Sequence, residues 1–113
     1  SISHDSHNII AVGCTDQDLM LAINELIKEK GGLTVNEEGK LHSLPLPIGG
    51  IISDKSGREV ADRYMKLNEM LLKMGTPLKS PFMTLSFMAL IVIPTLKIGE
   101  KGIFDFEKFD FVK

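Results

Sequence analysis

The sequence predicts an α+β fold, a single-domain two-layer sandwich in which about three helices pack on a small mixed or antiparallel sheet. The chain has 113 residues, of which 43% are hydrophobic and 25% are charged, which is typical of one soluble domain with its own core. Short β-branched runs accompany amphipathic segments, and glycine-containing turns separate them. These segments follow the order strand, helix, two strands, two helices and an alternating tail.

A strand and a helix are predicted first. The run IIAV at residues 9–12 is mostly β-branched and ends at Gly13, which indicates a strand. Thr15 and Asp18 then form a capping-box pattern, because the threonine hydroxyl can accept from a free amide of the first turn and Asp18 can reach back. Apolar residues follow at helical spacing, and the glycine pair at 31–32 ends the helix.

A hairpin and a turn are predicted next. The runs "LTV" and "KLHSL" flank the polar loop "NEEG", whose glycine suits a positive φ, so this stretch predicts two antiparallel strands. Pro45 and Pro47 lack amide donors, which excludes "PLPIGGII" from an inner strand along its whole length. We expect this segment to run extended over the core into a glycine-marked turn.

Two further helices and a tail complete the prediction. Ser56 and Glu59 form a second capping box ahead of an apolar stripe, and Gly75 is placed to end that helix. Ser80-Pro81 indicates the start of a short buried helix that breaks before Pro94. The methionines between residues 65 and 88 are expected in the core. The tail, "GIFDFEKFDFVK", alternates aromatic and charged residues, as an edge strand or an extended packing segment would.

Composition excludes several classes of function. The net charge is −2 and the 13 basic residues are scattered, so no clustered positive surface for nucleic acid is expected. The longest apolar stretch, 82–93, is too short to span a bilayer, and no signal-peptide pattern opens the chain. Cys14 is the single cysteine, which precludes an intramolecular disulfide and favours a reducing, cytoplasmic compartment.

The opening segment carries the densest set of chemical groups. His4, Asp5, Ser6 and His7 bring together imidazole, carboxylate and hydroxyl groups, which bind metals and move protons near neutral pH. If the segment is extended, His4 and Ser6 point to one face while Asp5 and His7 point to the other, so the two imidazoles would not share a metal. A local metal site, a capping or solvent-facing role, and a site shared with another part of a larger protein all remain open.

Other motifs favour structural roles. Cys14 and His42 lack the companions of a zinc site, and we expect Cys14 to be buried or half-buried. A Cys–His pair could still meet in space. "IGGIISD" could offer helix amides to an anion, but a tight turn followed by helix caps is the favoured interpretation.

Four long segments together resemble one family. "HDSHNIIAVG", "TDQDLMLAINELIKEKGG", "LPLPIGGIISD" and "PFMTLSFMALIVIPTLKIGEKGIFD" are similar to the C-terminal domain of bacterial and archaeal adenine deaminases, within the amidohydrolase superfamily. The resemblance extends over essentially all of residues 1–113. It implies a larger enzyme that hydrolyses adenine to hypoxanthine and ammonia with a water activated by manganese or iron in a (β/α)₈ barrel. Because such a barrel needs about 250 residues, the chain would be a domain without it, cut at "SIS" and inactive alone.

The resemblance leads to two hypotheses. In the first, His4, Asp5, Ser6, His7 and Asn8 face the mouth of the barrel of the same parent chain, where they contact adenine, support other residues or order a lid. In the second, the domain is purely structural and supports the barrel or a subunit interface of a homo-oligomer. A third interpretation, an independent binding module, would require the chain to occur naturally at this length. No cofactor or metal is expected within the 113 residues themselves.

Overall fold

The structure is a computed structural model that describes residues 1–112; Lys113, the last residue of the predicted tail, lies outside the described residues. The predicted α+β class is confirmed, although the strands divide between two small antiparallel sheets. The elements are α1 (Asp16–Lys28), β1 (Gly32–Glu37), β2 (Lys40–Pro45), α2 (Gly57–Lys73), α3 (Pro81–Phe87), β3 (Leu96–Gly99), β4 (Gly102–Asp105) and β5 (Asp110–Phe111).

The first helix begins and ends as predicted. The Thr15 hydroxyl accepts from the backbone N–H of Asp18 at 3.1 Å, and Gly31 follows the last turn with φ of 116°. The strand predicted before it is wrong, because residues 9–13 form neither helix nor strand. No described strand lies beside them to supply the backbone partners that a strand requires.

The predicted hairpin is confirmed as β1 and β2, which pair from Gly32↔Pro45 to Glu37↔Lys40 around a two-residue turn. Glu38 and Gly39 both have positive φ, of 50° and 87°, as a tight hairpin turn requires. Side chains alternate between the two faces of this hairpin. Asn36, on one face, donates to Asp18 of α1 at 2.9 Å, which places α1 on that face.

The core lies on the opposite face of the hairpin, against α2 and α3. The capping box at the start of α2 is confirmed, with the Ser56 backbone N–H donating to Glu59 at 3.1 Å. Tyr64 of α2 and Phe82 of α3 contact with ring centroids 6.0 Å apart. The buried cluster consists of Leu33, Val35, Leu44, Leu67 and Phe82.

The second half of the chain differs from the prediction at the end of one helix and in its tail. The helix α3 begins at Pro81 as predicted but ends at Phe87, and turns occupy the residues up to Pro94. The tail is not a single strand, because it contains both β4 and β5, which form an antiparallel meander with β3, a strand that was not predicted. On its inner face Phe104 contacts Phe111 edge-to-face at 5.3 Å.

Three smaller predictions have different outcomes. The tight turn predicted in "IGGIISD" is confirmed, because Ile48 and Ile52 form an antiparallel backbone bridge and the glycines between them have positive φ. Cys14 is exposed, so its predicted burial is wrong. Of the methionines between residues 65 and 88, one packs against the core, Met70, while the others lie on exposed helix faces or turns.

Candidate functional site

Residues 3–8 form a closed loop whose base is Ser3. The Ser3 side chain is buried, and its hydroxyl donates to the Asn8 carbonyl at 2.6 Å. The Ser3 carbonyl accepts from the His7 backbone N–H at 3.1 Å. One buried residue therefore closes the loop through both its side chain and its backbone.

The loop is a turn and not an extended segment. The Ser6 N–H donates to the His4 carbonyl at 2.8 Å, and Asp5 and His7 have φ of 64° and 51°. Aspartate and histidine are among the residues that tolerate this left-handed region best. The alternation of side chains expected for an extended segment does not apply here.

His4 is the anchor of the loop on α3. Its backbone N–H donates to the Ser86 carbonyl at 3.2 Å, and its imidazole lies against the Phe87 ring with centroids 4.2 Å apart. The Nε2 atom is buried without a hydrogen-bond partner among the described residues. His4 therefore packs into the domain and does not point to solvent.

Asn8 is the second anchor. Its side-chain amide donates to a Glu100 carboxylate oxygen at 3.5 Å, across to the turn between β3 and β4. The pKa of Glu100 lies below its ordinary value of 4.5, mainly because a backbone N–H donates to the carboxylate and also because of the Asn8 amide. The loop is thus tied to both α3 and the meander.

Asp5, Ser6 and His7 are exposed between these anchors. The five predicted site residues therefore fall into two groups, with His4 and Asn8 holding the loop and the three central residues presented to the outside. Sequence reasoning did not find Ser86, Phe87 or Glu100, which receive the anchors. They lie 78 or more positions away from the loop, and nothing in their local sequence marks them as partners.

The described part of the chain does not fit a metal site, and two cavities on it lie away from the 3–8 loop. Within residues 1–112, no three His, Cys, Asp or Glu side chains are grouped closely enough to hold a metal ion. A cavity of about 80 Å³ lies between β2 and the start of α2, well below the roughly 300–1,000 Å³ of typical ligand sites. A wider depression at the hairpin tip, beside Glu37 and Lys73, is open to solvent. Neither cavity is lined by the 3–8 loop.

Comparison with known proteins identifies the family. Residues 1–110 match the family described as adenine deaminase C-terminal domain. The chain belongs to this family. Proteins named adenine deaminase from Methanosarcina mazei and Methanosarcina barkeri are 58% and 57% identical over 112 and 113 residues. The protein of that name from Bacillus subtilis is 47% identical over 114 residues.

The chain spans about a fifth of the length of the relatives that it matches. The alignments cover 99–100% of this chain but 20% of each of these relatives. No solved structure matches the chain. No helix among residues 1–112 is both long and apolar enough to cross a membrane.

Proposed function

We propose that this domain belongs to an enzyme that hydrolyses adenine to hypoxanthine and ammonia, and that the 3–8 loop completes the active site. The observation that carries the proposal is the loop itself, which is closed at Ser3, anchored on α3 and exposed at Asp5, Ser6 and His7. Fixing the base of a loop while leaving its central side chains free is the arrangement that a recognition or catalytic loop needs. The choice of adenine as substrate follows from the relatives named adenine deaminase.

The three exposed side chains could contribute in two ways. Together they offer a carboxylate, a hydroxyl and an imidazole, which can donate to or accept from the ring nitrogens and the amino group of a purine. They could also order the loop as a lid that excludes water from the reaction. Both roles use the imidazole of His7.

The catalytic metal, manganese or iron, would be held by the remaining part of the enzyme. Its chemistry would be to activate the attacking water, and the described residues here lack a group of three ligands for it. We therefore expect the 113-residue chain to be inactive alone and its first partner to be the barrel of the same protein. A cytoplasmic enzyme fits the single cysteine.

The test is adenine deamination by the full-length protein carrying His7→Asn. Turnover should fall by about tenfold or more, equivalent to the loss of about 1.4 kcal/mol of transition-state stabilisation, while the melting temperature stays the same. His42→Asn, the same change on β2, is the matched control and should leave turnover within about twofold. Unchanged kinetics in His7→Asn would contradict the role of the loop, and an inactive full-length protein would contradict the substrate.

A structural role is the second candidate. The outer face of the β3–β4 pair exposes Leu96, Ile98 and Ile103, with Ile98 76% exposed. Apolar residues so exposed favour a surface that is covered in a larger assembly, such as a homo-oligomer. Under this role Ile98→Ser changes the mass of the full-length protein in sedimentation, whereas substitutions of His7 change neither mass nor turnover.

A further inference from the structure

Residues 9–13 are an apolar segment without backbone partners. Within residues 1–112, no hydrogen bond joins a backbone N–H or carbonyl of this segment to the rest of the chain. Val12 is 82% exposed and Ile9 is 42% exposed. The composition of the segment is that of a strand, so the local sequence preference and the isolated structure disagree.

Both ends of this segment are held in place. At one end, Asn8 accepts from Ser3 and donates to Glu100. At the other end, Gly13 lies directly against Leu19, where an added Cβ would come within 3.1 Å of the leucine side chain. The segment is therefore a fixed bridge between the meander and α1, open along its length. A disordered terminus would not have these two attachments.

We propose that residues 9–13 form a β-strand that pairs with a strand in the part of the full-length protein outside this chain. Pairing would satisfy the backbone groups on one edge of the segment and shield it from solvent, which resolves the disagreement between sequence and isolated structure. The proposal rests on family membership and on the geometry of the segment. It does not depend on adenine being the substrate.

The rest of the full-length protein is a better source of the partner strand than a second copy of this domain. A five-residue strand is about 17 Å long, and one such pairing buries far less than the roughly 1,200 Å² that a stable interface between separate molecules requires. A tethered partner needs less area, because tethering supplies an effective concentration in the millimolar range. This chain spans 20% of each relative. The remaining four-fifths or so of each relative is therefore long enough to provide the partner strand.

The pairing has a consequence for the loop. Asn8 closes the loop and Ile9 begins the strand, so the register of the strand would set the position of Asp5, Ser6 and His7 relative to the rest of the enzyme. A one-residue slip would turn every side chain of the strand to the opposite face. The strand would thus position the loop relative to the rest of the enzyme.

Amide hydrogen exchange tests the proposal directly. Among residues 9–13, the alternate amides that face the partner strand should exchange at nearly unprotected rates in the 113-residue chain and at least about 100-fold more slowly in the full-length protein. Amides in the middle of α2 report whether each sample is folded. Fast exchange in both proteins would overturn the proposal. Protection in the short chain that rises with concentration would overturn the intrachain partner and assign a second copy.

Substitution at Ala11 and Val12 separates backbone pairing from side-chain burial. Adjacent amides of a strand point to opposite edges, so a single partner strand accepts from one of these two residues. Of Ala11→Pro and Val12→Pro, the variant that removes this donor should lower the melting temperature of the full-length protein by at least about 2 °C more than serine at the same position, which keeps the donor. In the 113-residue chain the proline and serine variants should melt within about 1 °C of the parent sequence, since neither amide has a partner within the described residues 1–112. Equal effects of proline and serine at both residues in the full-length protein would contradict strand pairing. Because this test measures melting temperature and not deaminase activity, its outcome does not depend on whether adenine is the substrate.

Discussion

The imidazole of His4 lies on the ring of Phe87, with centroids 4.2 Å apart and planes inclined by 42°. The backbone of His4 bonds to the adjacent Ser86 carbonyl at 3.2 Å, so the loop contacts the last turn of α3 twice. Because α3 itself packs through Phe82 into the main core, the loop position is linked to the core through one short helix.

Removing the Phe87 ring should loosen the loop. Phe87→Ala is expected to lower the free energy of unfolding of the chain by about 1 kcal/mol, since the ring is 41% exposed and the loss is mainly that of the aromatic pair. Urea unfolding measures this, and Met88→Ala, at an exposed neighbour, is the control. In the full-length protein the same change should also reduce turnover. Full activity together with lower stability would show that the loop position does not matter for the reaction.

A core substitution should show which side of α2 faces the hairpin. Leu67 is 4% exposed within the buried cluster, and Leu67→Ala should cost about 3 kcal/mol through lost burial and the cavity left behind. Leu72 lies on the same helix but is 45% exposed, so Leu72→Ala should cost less than about 1 kcal/mol. Urea midpoints of the two variants give the comparison. Similar losses would contradict the assigned packing face.

The glycine at the start of β1 should not tolerate a side chain. Gly32 has φ of 132°, and a Cβ there would overlap the Leu44 carbonyl oxygen on the paired strand. Gly32→Ala should therefore destabilise the chain by about 3 kcal/mol or more. Gly39→Ala is the matched control, because φ is 87° but no atom lies within 4 Å of the new methyl, and only the conformational cost of about 1 kcal/mol remains. Thermal melting of both variants distinguishes overlap from backbone preference.

The capping box of α2 should make stability depend on pH. The side-chain and backbone hydrogen bonds from Ser56 hold the pKa of Glu59 below its ordinary value of 4.5, with a smaller contribution from Lys55 and Arg63. A depressed pKa in the folded state means that this stabilisation is complete above the unfolded pKa and disappears as the pH falls through the folded one. Glu59→Gln should thus be less stable than the parent sequence at pH 7, and the difference should shrink below about pH 4. A difference of the same size at pH 3 would contradict the ionised hydrogen bond as its source.

Local signals in the sequence were sufficient for most elements. The caps at Thr15 and Ser56 and the turn at Gly39 each depend on residues within a few positions, and the structure confirms all three. The end of α3 could not be placed in the same way. The apolar run continues to Ile93 without a polar or glycine stop, so its local pattern does not mark Phe87 as the last helical residue.

The composition of the candidate site was predictable, but its geometry was not. The density of His, Asp and Ser at residues 4–7 singled out the segment, and the family resemblance suggested a role. Contacts with the distant residues Ser86, Phe87 and Glu100 hold His4 and Asn8 in place. These contacts decide which side chains of the loop remain exposed. Sequence spacing carries no information on such contacts.

The sequence by itself determined the α+β class, the caps, the hairpin and the family of this domain, since each depends on neighbouring residues or on long matching segments. The tertiary structure alone decided that Ser3 closes the loop, that Asp5, Ser6 and His7 are exposed, and that residues 9–13 have no backbone partner among residues 1–112. The physical reason is that a turn or a cap is satisfied within its own segment. A strand or an anchored loop needs hydrogen-bond partners that only folding brings near.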